Sequence, residues 1–93
     1  HPSLLPSFKG VKAQEQAIDF GAKVSGCTTH FVTFEMDAGP LIMQKAVSVL
    51  PDDTSDTLSA RILPEEHRIL VQSVRLFCED KLRIKDNRVE IRE

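Results

Sequence analysis

The rhythm of apolar and polar residues changes several times along the chain, and each change predicts an element. Residues 1–10, HPSLLPSFKG, carry Pro2 and Pro6. Each proline fixes its own φ and pushes the residue before it out of the helical region, so an extended loop is expected, anchored by Leu4, Leu5 and Phe8. From Val11 to Phe20, VKAQEQAIDF sets Ala13, Ala17 and Phe20 on one side of a short amphipathic helix, with Gly21 as its stop signal. Cys27–Phe34 and Leu41–Leu50 are rich in β-branched or aromatic residues and read as two strands. The EMDAGP cluster between them reads as a loop, because Asp37 stands two residues before Gly39 and three before Pro40.

The second half of the chain has a longer period. PDDTSDT (51–57) offers several N-cap residues, after which Leu58, Ile62, Ile69, Ser73 and Leu76 recur at near-helical spacing, predicting a helix from about Thr54 to Glu79. Pro64 falls inside it. An interior proline removes one backbone hydrogen bond and clashes with the carbonyl four residues back, at a cost of about 3 kcal/mol, so a kink or short break is expected there. The tail KLRIKDNRVEIRE alternates about Asp86-Asn87 and predicts a hairpin of Leu82–Lys85 with Arg88–Ile91. No internal repeat, low-complexity tract or second-domain boundary is visible, and 93 residues suffice for one small core.

Composition narrows the function by exclusion. With 41% apolar and 28% charged residues the chain has the make-up of a globular domain. No apolar run approaches the roughly 18 residues that span a bilayer, so no membrane partner is expected. Residues 1–51 carry four basic and four acidic side chains and residues 52–93 carry eight and ten, so neither half presents a basic face and nucleic acid is an unpromising partner. Cys27 and Cys78 lack C-x-x-C spacing and lie apart from a histidine cluster, which argues against a metal site or a disulfide framework. Two reduced thiols in a cytoplasmic protein are the economical reading.

Four residues invite chemistry, each beside a plainer alternative. His1 is a terminal, solvated side chain or an acid–base group. Asp37 is a turn aspartate bonding its own backbone or a carboxylate partner. His30 is a strand histidine bonding a neighbour or a supporting member of a site, and Glu66 lies on a solvated helix face or faces a ligand. Ser3 and Cys27 have no adjacent histidine and carboxylate to make them nucleophiles, so covalent acyl-enzyme chemistry is disfavoured.

Taken together, HPSLLP at the start and TTHFVTFEMDAGPLIMQ (28–44) resemble the C-terminal half of the folate-dependent formyltransferases, nearest to those acting on glycinamide ribonucleotide in purine synthesis. That family carries Asn-x-His-Pro-Ser-Leu-Leu-Pro at its active site and an Asp-x-Gly-Pro loop. His1 falls on the histidine, and Asp37-Ala38-Gly39-Pro40 on the loop. The resemblance implies an α/β fold: the C-terminal half of a Rossmann-like formyltransferase domain, with central strands, a long kinked helix and a small C-terminal hairpin. It implies 10-formyltetrahydrofolate as formyl donor, without a metal, and transfer to the amine of glycinamide ribonucleotide.

In that scheme His1 is the acid and Asp37 its partner, with His30 in support. Thr33, Phe34, Glu35, Met36, Ala38 and Gly39 belong to the segment lining the pterin pocket, largely through backbone groups. Glu66, in a Glu66-His67 pair, would hold the substrate ribose, although Leu63-Pro64 stands where some relatives carry polar residues. Transfer of this kind stabilises a tetrahedral oxyanion and moves a proton from the incoming amine to the departing folate nitrogen. A carboxylate beside a histidine suits it by favouring the protonated ring.

The resemblance runs from His1 to about Ile84 and covers about half of the family's domain. The other half, with the phosphate loop, most of the parallel sheet and the asparagine, is expected from a companion chain or further residues. Alone, the segment is expected neither to fold well nor to catalyse. The rival readings are a formyltetrahydrofolate deformylase, which directs water at the formyl group, and a non-catalytic folate-binding fragment.

Overall fold

The computed structural model describes residues 1–92. Its elements run α1 (Ala13–Phe20), β1 (Val24–His30), β2 (Leu41–Ser48), α2 (Ser55–Cys78), β3 (Leu82–Lys85) and β4 (Arg88–Ile91). β1 and β2 form one antiparallel pair, and β3 and β4 another. The core lies where α2 crosses the first pair: Cys27, Leu58 and Ile62 are fully buried there with Ala17 of α1, and Ile69 joins them.

The long helix follows its period closely. Thr54 is the N-cap, its hydroxyl accepting from the Thr57 amide while the Thr57 hydroxyl accepts from the Thr54 amide, which satisfies two of the free donors at the helix start. Leu58, Ile62, Ile69 and Ser73 turn inward as predicted. α2 runs unbroken past Pro64, so the expected break is absent. Pro64 and Ala60, whose carbonyl loses its partner, both lie on the exposed face, where that carbonyl is open to water. A second apolar stripe, Leu63, Leu70, Val74 and Phe77, runs along α2 beside the buried one and is about half exposed.

The ends of the first strand pair differ from expectation. β1 begins three residues earlier than the Cys27 predicted, because Val24 pairs with Ser48 and the Lys23 carbonyl accepts from the Val49 amide. It also ends at His30 rather than Phe34. The register shifts between Thr29 and His30, and the chain then turns outward, with the Thr33 hydroxyl donating to the Glu35 carbonyl. α1 starts at Ala13 rather than Val11, since Lys12 holds a left-handed conformation. Phe20, expected on the buried side, is 81% exposed and makes a T-shaped contact with Phe8, while Ala13 and Ala17 are the buried residues of the helix. Gly21 ends the helix in the left-handed region as expected.

The opening segment is not helical, but it curls rather than extends: Ser7 donates to the Leu4 carbonyl, and Leu5 is buried. The terminal hairpin forms in the predicted register, with Asp86 and Asn87 both at positive φ, the pair of left-handed residues that a two-residue type I′ turn needs. No described helix is long and apolar enough to cross a membrane.

Two local constraints hold the frame. Arg61 of α2 forks onto Asp53, with contacts of 2.6 and 2.8 Å, and also donates to the Ser48 carbonyl. Asp53 further accepts from the Leu50 amide and the Thr57 hydroxyl, so one carboxylate ties the end of β2 to the start of α2. The Arg61 hydrogen bonds, then the Leu50 amide and Thr57, hold that carboxyl well below the usual range. The second constraint is Gly39, where an added Cβ would lie 1.7 Å from the Phe31 carbonyl oxygen, a backbone atom that cannot swing away.

Because the Asp53 carboxyl is depressed in the fold, its stabilising effect is complete above the ordinary aspartate value near about pH 4 and is lost as pH falls below it. Asp53→Asn is expected to unfold more readily than the parent at neutral pH, with the gap narrowing as the solution is acidified, as followed by thermal melts across pH. A gap that stays constant into acid would contradict the assignment. Gly39→Ala is expected to cost about 1 to 3 kcal/mol or more in denaturant titrations, in the range of overpacking against an unyielding neighbour.

Candidate functional site

The curled segment brings His1 alongside the middle of β1. The His1 backbone nitrogen donates to the Thr28 carbonyl at 2.7 Å, and the Thr28 amide returns a bond to the His1 carbonyl at 2.8 Å. The imidazole is then fixed from its own turn, with Nε2 3.0 Å from the Phe8 carbonyl. A carbonyl only accepts, so Nε2 is the donor. The other ring nitrogen, Nδ1, stands 3.4 Å from Oδ2 of Asp37. Both ring nitrogens thus face oxygens that only accept, an arrangement satisfied when the ring carries both protons.

Asp37 reaches this position because its loop passes through a left-handed conformation at φ 53° and is drawn in by the Gly10 amide, which donates to Oδ2 at 2.6 Å. Its bond therefore goes to the opening segment, 27 residues away, and not to its own turn. His30 approaches the same carboxylate from the strand end: its Nδ1 donates to the Phe31 carbonyl at 3.0 Å, and Nε2 lies 3.8 Å from Oδ1. That distance is beyond a hydrogen bond, so His30 stands beside Asp37 without bonding to it. The side chains of His1, Asp37 and His30 are 8, 14 and 16% exposed, which shields their interaction from bulk water.

Two clefts meet this group. The first, of about 360 Å³, is lined by His1 and His30 on one side and by Leu63, Glu66 and His67 of α2 on the other. The second, of about 270 Å³, is lined by Asp37, Ala38 and Gly39 together with Lys9, Leu41 and the hairpin tip at Asn87. His1, His30 and Glu66 therefore share one cleft, while Asp37, Ala38 and Gly39 open onto the other. Thr33, Phe34, Glu35 and Met36 are exposed and line neither cleft. Cys27 is buried and its thiol is pushed up by burial and by the Glu66 charge, so it stays protonated; Cys78 is an exposed free thiol.

Several residues that hold this geometry are not apparent from motif reading. The Thr28 hydroxyl accepts from the Leu5 amide and donates to the Ser3 carbonyl, and Gln44, its cross-strand partner, donates to both Thr28 and the Leu5 carbonyl. Strand periodicity holds a signal for Thr28, two residues from His30 and hence on the same face. The Phe8 carbonyl and Gly10 amide leave no trace in side-chain patterns, being backbone groups.

Comparison with known proteins identifies the family. Residues 1–74 match the formyl transferase family model. The trifunctional purine biosynthetic protein adenosine-3 of Bos taurus is 48% identical over 87 residues, 94% of this chain and 9% of that protein. The crystal structure of glycinamide ribonucleotide transformylase 1 from Symbiobacterium toebii superposes with a TM-score of 0.98 at 55% identity, over all of this chain and 44% of that one. A formyltetrahydrofolate deformylase from Pseudomonas syringae pv. tomato superposes with a TM-score of 0.94 at 36% identity, over all of this chain and 31% of that one. The chain thus spans less than half the length of each of these relatives. With the family model matching more than three-quarters of its residues, the chain belongs to the formyl transferase family.

Proposed function

We propose that this segment forms part of an enzyme that transfers the formyl group of 10-formyltetrahydrofolate to the amine of glycinamide ribonucleotide in purine synthesis. The observation that carries the reading is the meeting of His1 with Asp37 at 3.4 Å, with Glu66 across the cleft that His1 lines. The amine attacks the formyl carbon, a new carbon–nitrogen bond forms, and the carbonyl oxygen takes on negative charge. A protonated His1 ring beside that oxygen offsets its developing charge, and Asp37 keeps the ring oriented. His30 adds to the field around Asp37. The amine's proton passes to the folate nitrogen as the old carbon–nitrogen bond breaks.

Glu66 suits the ribose hydroxyls, since a carboxylate accepts two hydrogen bonds side by side. The pterin is assigned to the loop at Thr33, Phe34, Glu35, Met36, Ala38 and Gly39, held through backbone groups as the family likeness suggests. The remainder of the domain, the N-terminal half of the formyl transferase fold, is the partner this site requires, and the cytoplasm is the proposed setting. The deformylase reading has support in the close superposition of such a protein, and the two differ in whether water or an amine attacks.

In the complete enzyme, His1→Ala is expected to lower kcat by roughly 10²- to 10⁴-fold, the range of a positioned acid, with Asp37→Asn falling in the same direction. Folate binding should persist in both when followed by fluorescence titration. Leaving out glycinamide ribonucleotide decides between transferase and hydrolase. Steady release of formate without the amine would favour the deformylase, and folate binding with neither activity would favour a non-catalytic fragment.

A further inference from the structure

The hydroxyl of Thr28 is saturated. It donates to the Ser3 carbonyl at 2.7 Å and accepts from the Leu5 amide and from Gln44 Nε2, both at 3.1 Å, which uses its single proton and both lone pairs. Thr28 is fully buried, so no water can replace a lost partner. Both backbone groups it holds belong to the curled segment that carries His1. Gln44 closes the arrangement by donating also to the Leu5 carbonyl at 2.8 Å. The backbone of the same residue pairs reciprocally with His1.

Three anchor points on one strand residue therefore fix residues 1, 3 and 5. A segment pinned at three alternate residues can neither slide along the strand nor roll about its own axis. That freedom matters because the Phe8 carbonyl, which orients the His1 ring, and the Gly10 amide, which draws in Asp37, lie further along the same segment. A roll of the segment would move the imidazole and the carboxylate's tether together.

We infer that Thr28, braced by Gln44, is a positioning residue that sets the His1 imidazole against Asp37 while touching no substrate itself. The inference rests on the proposed roles of His1 and Asp37. Thr28→Val keeps the branched shape that suits the strand and removes only the hydroxyl. Thr28→Ser keeps the hydroxyl. In the complete enzyme, Thr28→Val should lower kcat by about 100-fold, the scale of a misplacement near 1 Å, and leave KM for both substrates within about twofold. Thr28→Ser should restore most of kcat. Nitrogen-15 spectra of the histidine rings should show the His1 Nε2 proton, held by the Phe8 carbonyl, lost or shifted in Thr28→Val and retained in Thr28→Ser.

Wild-type kcat with an unchanged His1 ring spectrum in Thr28→Val would overturn the inference. So would a kcat loss that Thr28→Ser fails to rescue, which would mark a packing role alone. Should Thr28→Val not fold, Gln44→Met removes the brace from an exposed position. It should shift the same ring signal and lower kcat by a smaller factor, and an unchanged ring would again overturn the inference. If the parent enzyme showed no formyl transfer, the functional reading would fall. The ring spectra would then decide the positioning role by themselves.

Discussion

The structure depends on the reciprocal backbone pair between His1 and Thr28. Through it a proline-bearing segment with no helix or ladder of its own borrows order from β1. β1 in turn takes its place from a thin core, Cys27 against Leu58 and Ile62, and from the Thr29 hydroxyl meeting Ser73 of α2 at 2.7 Å. Successive strand residues point to opposite faces, so Thr28 serves the segment while Cys27 and Thr29 serve the helix. The site is thus one residue away from the core along the same strand.

How much of this was legible in the sequence differs by element, and the difference has a physical basis. α2 and the hairpin could be read nearly to the residue because their signals are local: a capping pair at Thr54 and Thr57, a repeating apolar face, and two turn residues that tolerate positive φ. The ends of β1 could not, because they are set by what lies opposite. Ser48 and Val49 extend the strand at one end, and the register shift between Thr29 and His30 marks the other. Phe20 misled for a related reason, since helical spacing shows which residues share a side and not how much room that side has. Pro64 illustrates the reverse, a local penalty tolerated because its orphaned carbonyl faces water.

Within the site, motif reading identified the groups and the fold supplied their relations. His1 and Asp37 could be paired from their likeness to a family pattern, yet the Gly10 amide that draws Asp37 inward is a backbone group, and no side-chain pattern reports it. The exposure of residues 33–36 was equally unreadable, because the Thr33–Phe34 stretch has a strand's composition and leaves the sheet only where the register shifts. A carboxylate lies between two imidazoles, each also tied to a carbonyl, where little water reaches. Such a cluster keeps its geometry through many small constraints rather than one strong bond.

The placement of His1 and Asp37 on separate clefts gives their contact a further meaning. The pair is a partition, with one face turned toward α2 and the other toward the hairpin tip at Asn87. For the proposed transfer of a group between two molecules, such a partition would give each reactant its own side of approach. In the proposed reaction the reacting atoms would meet at the wall itself, beside His1 and Asp37.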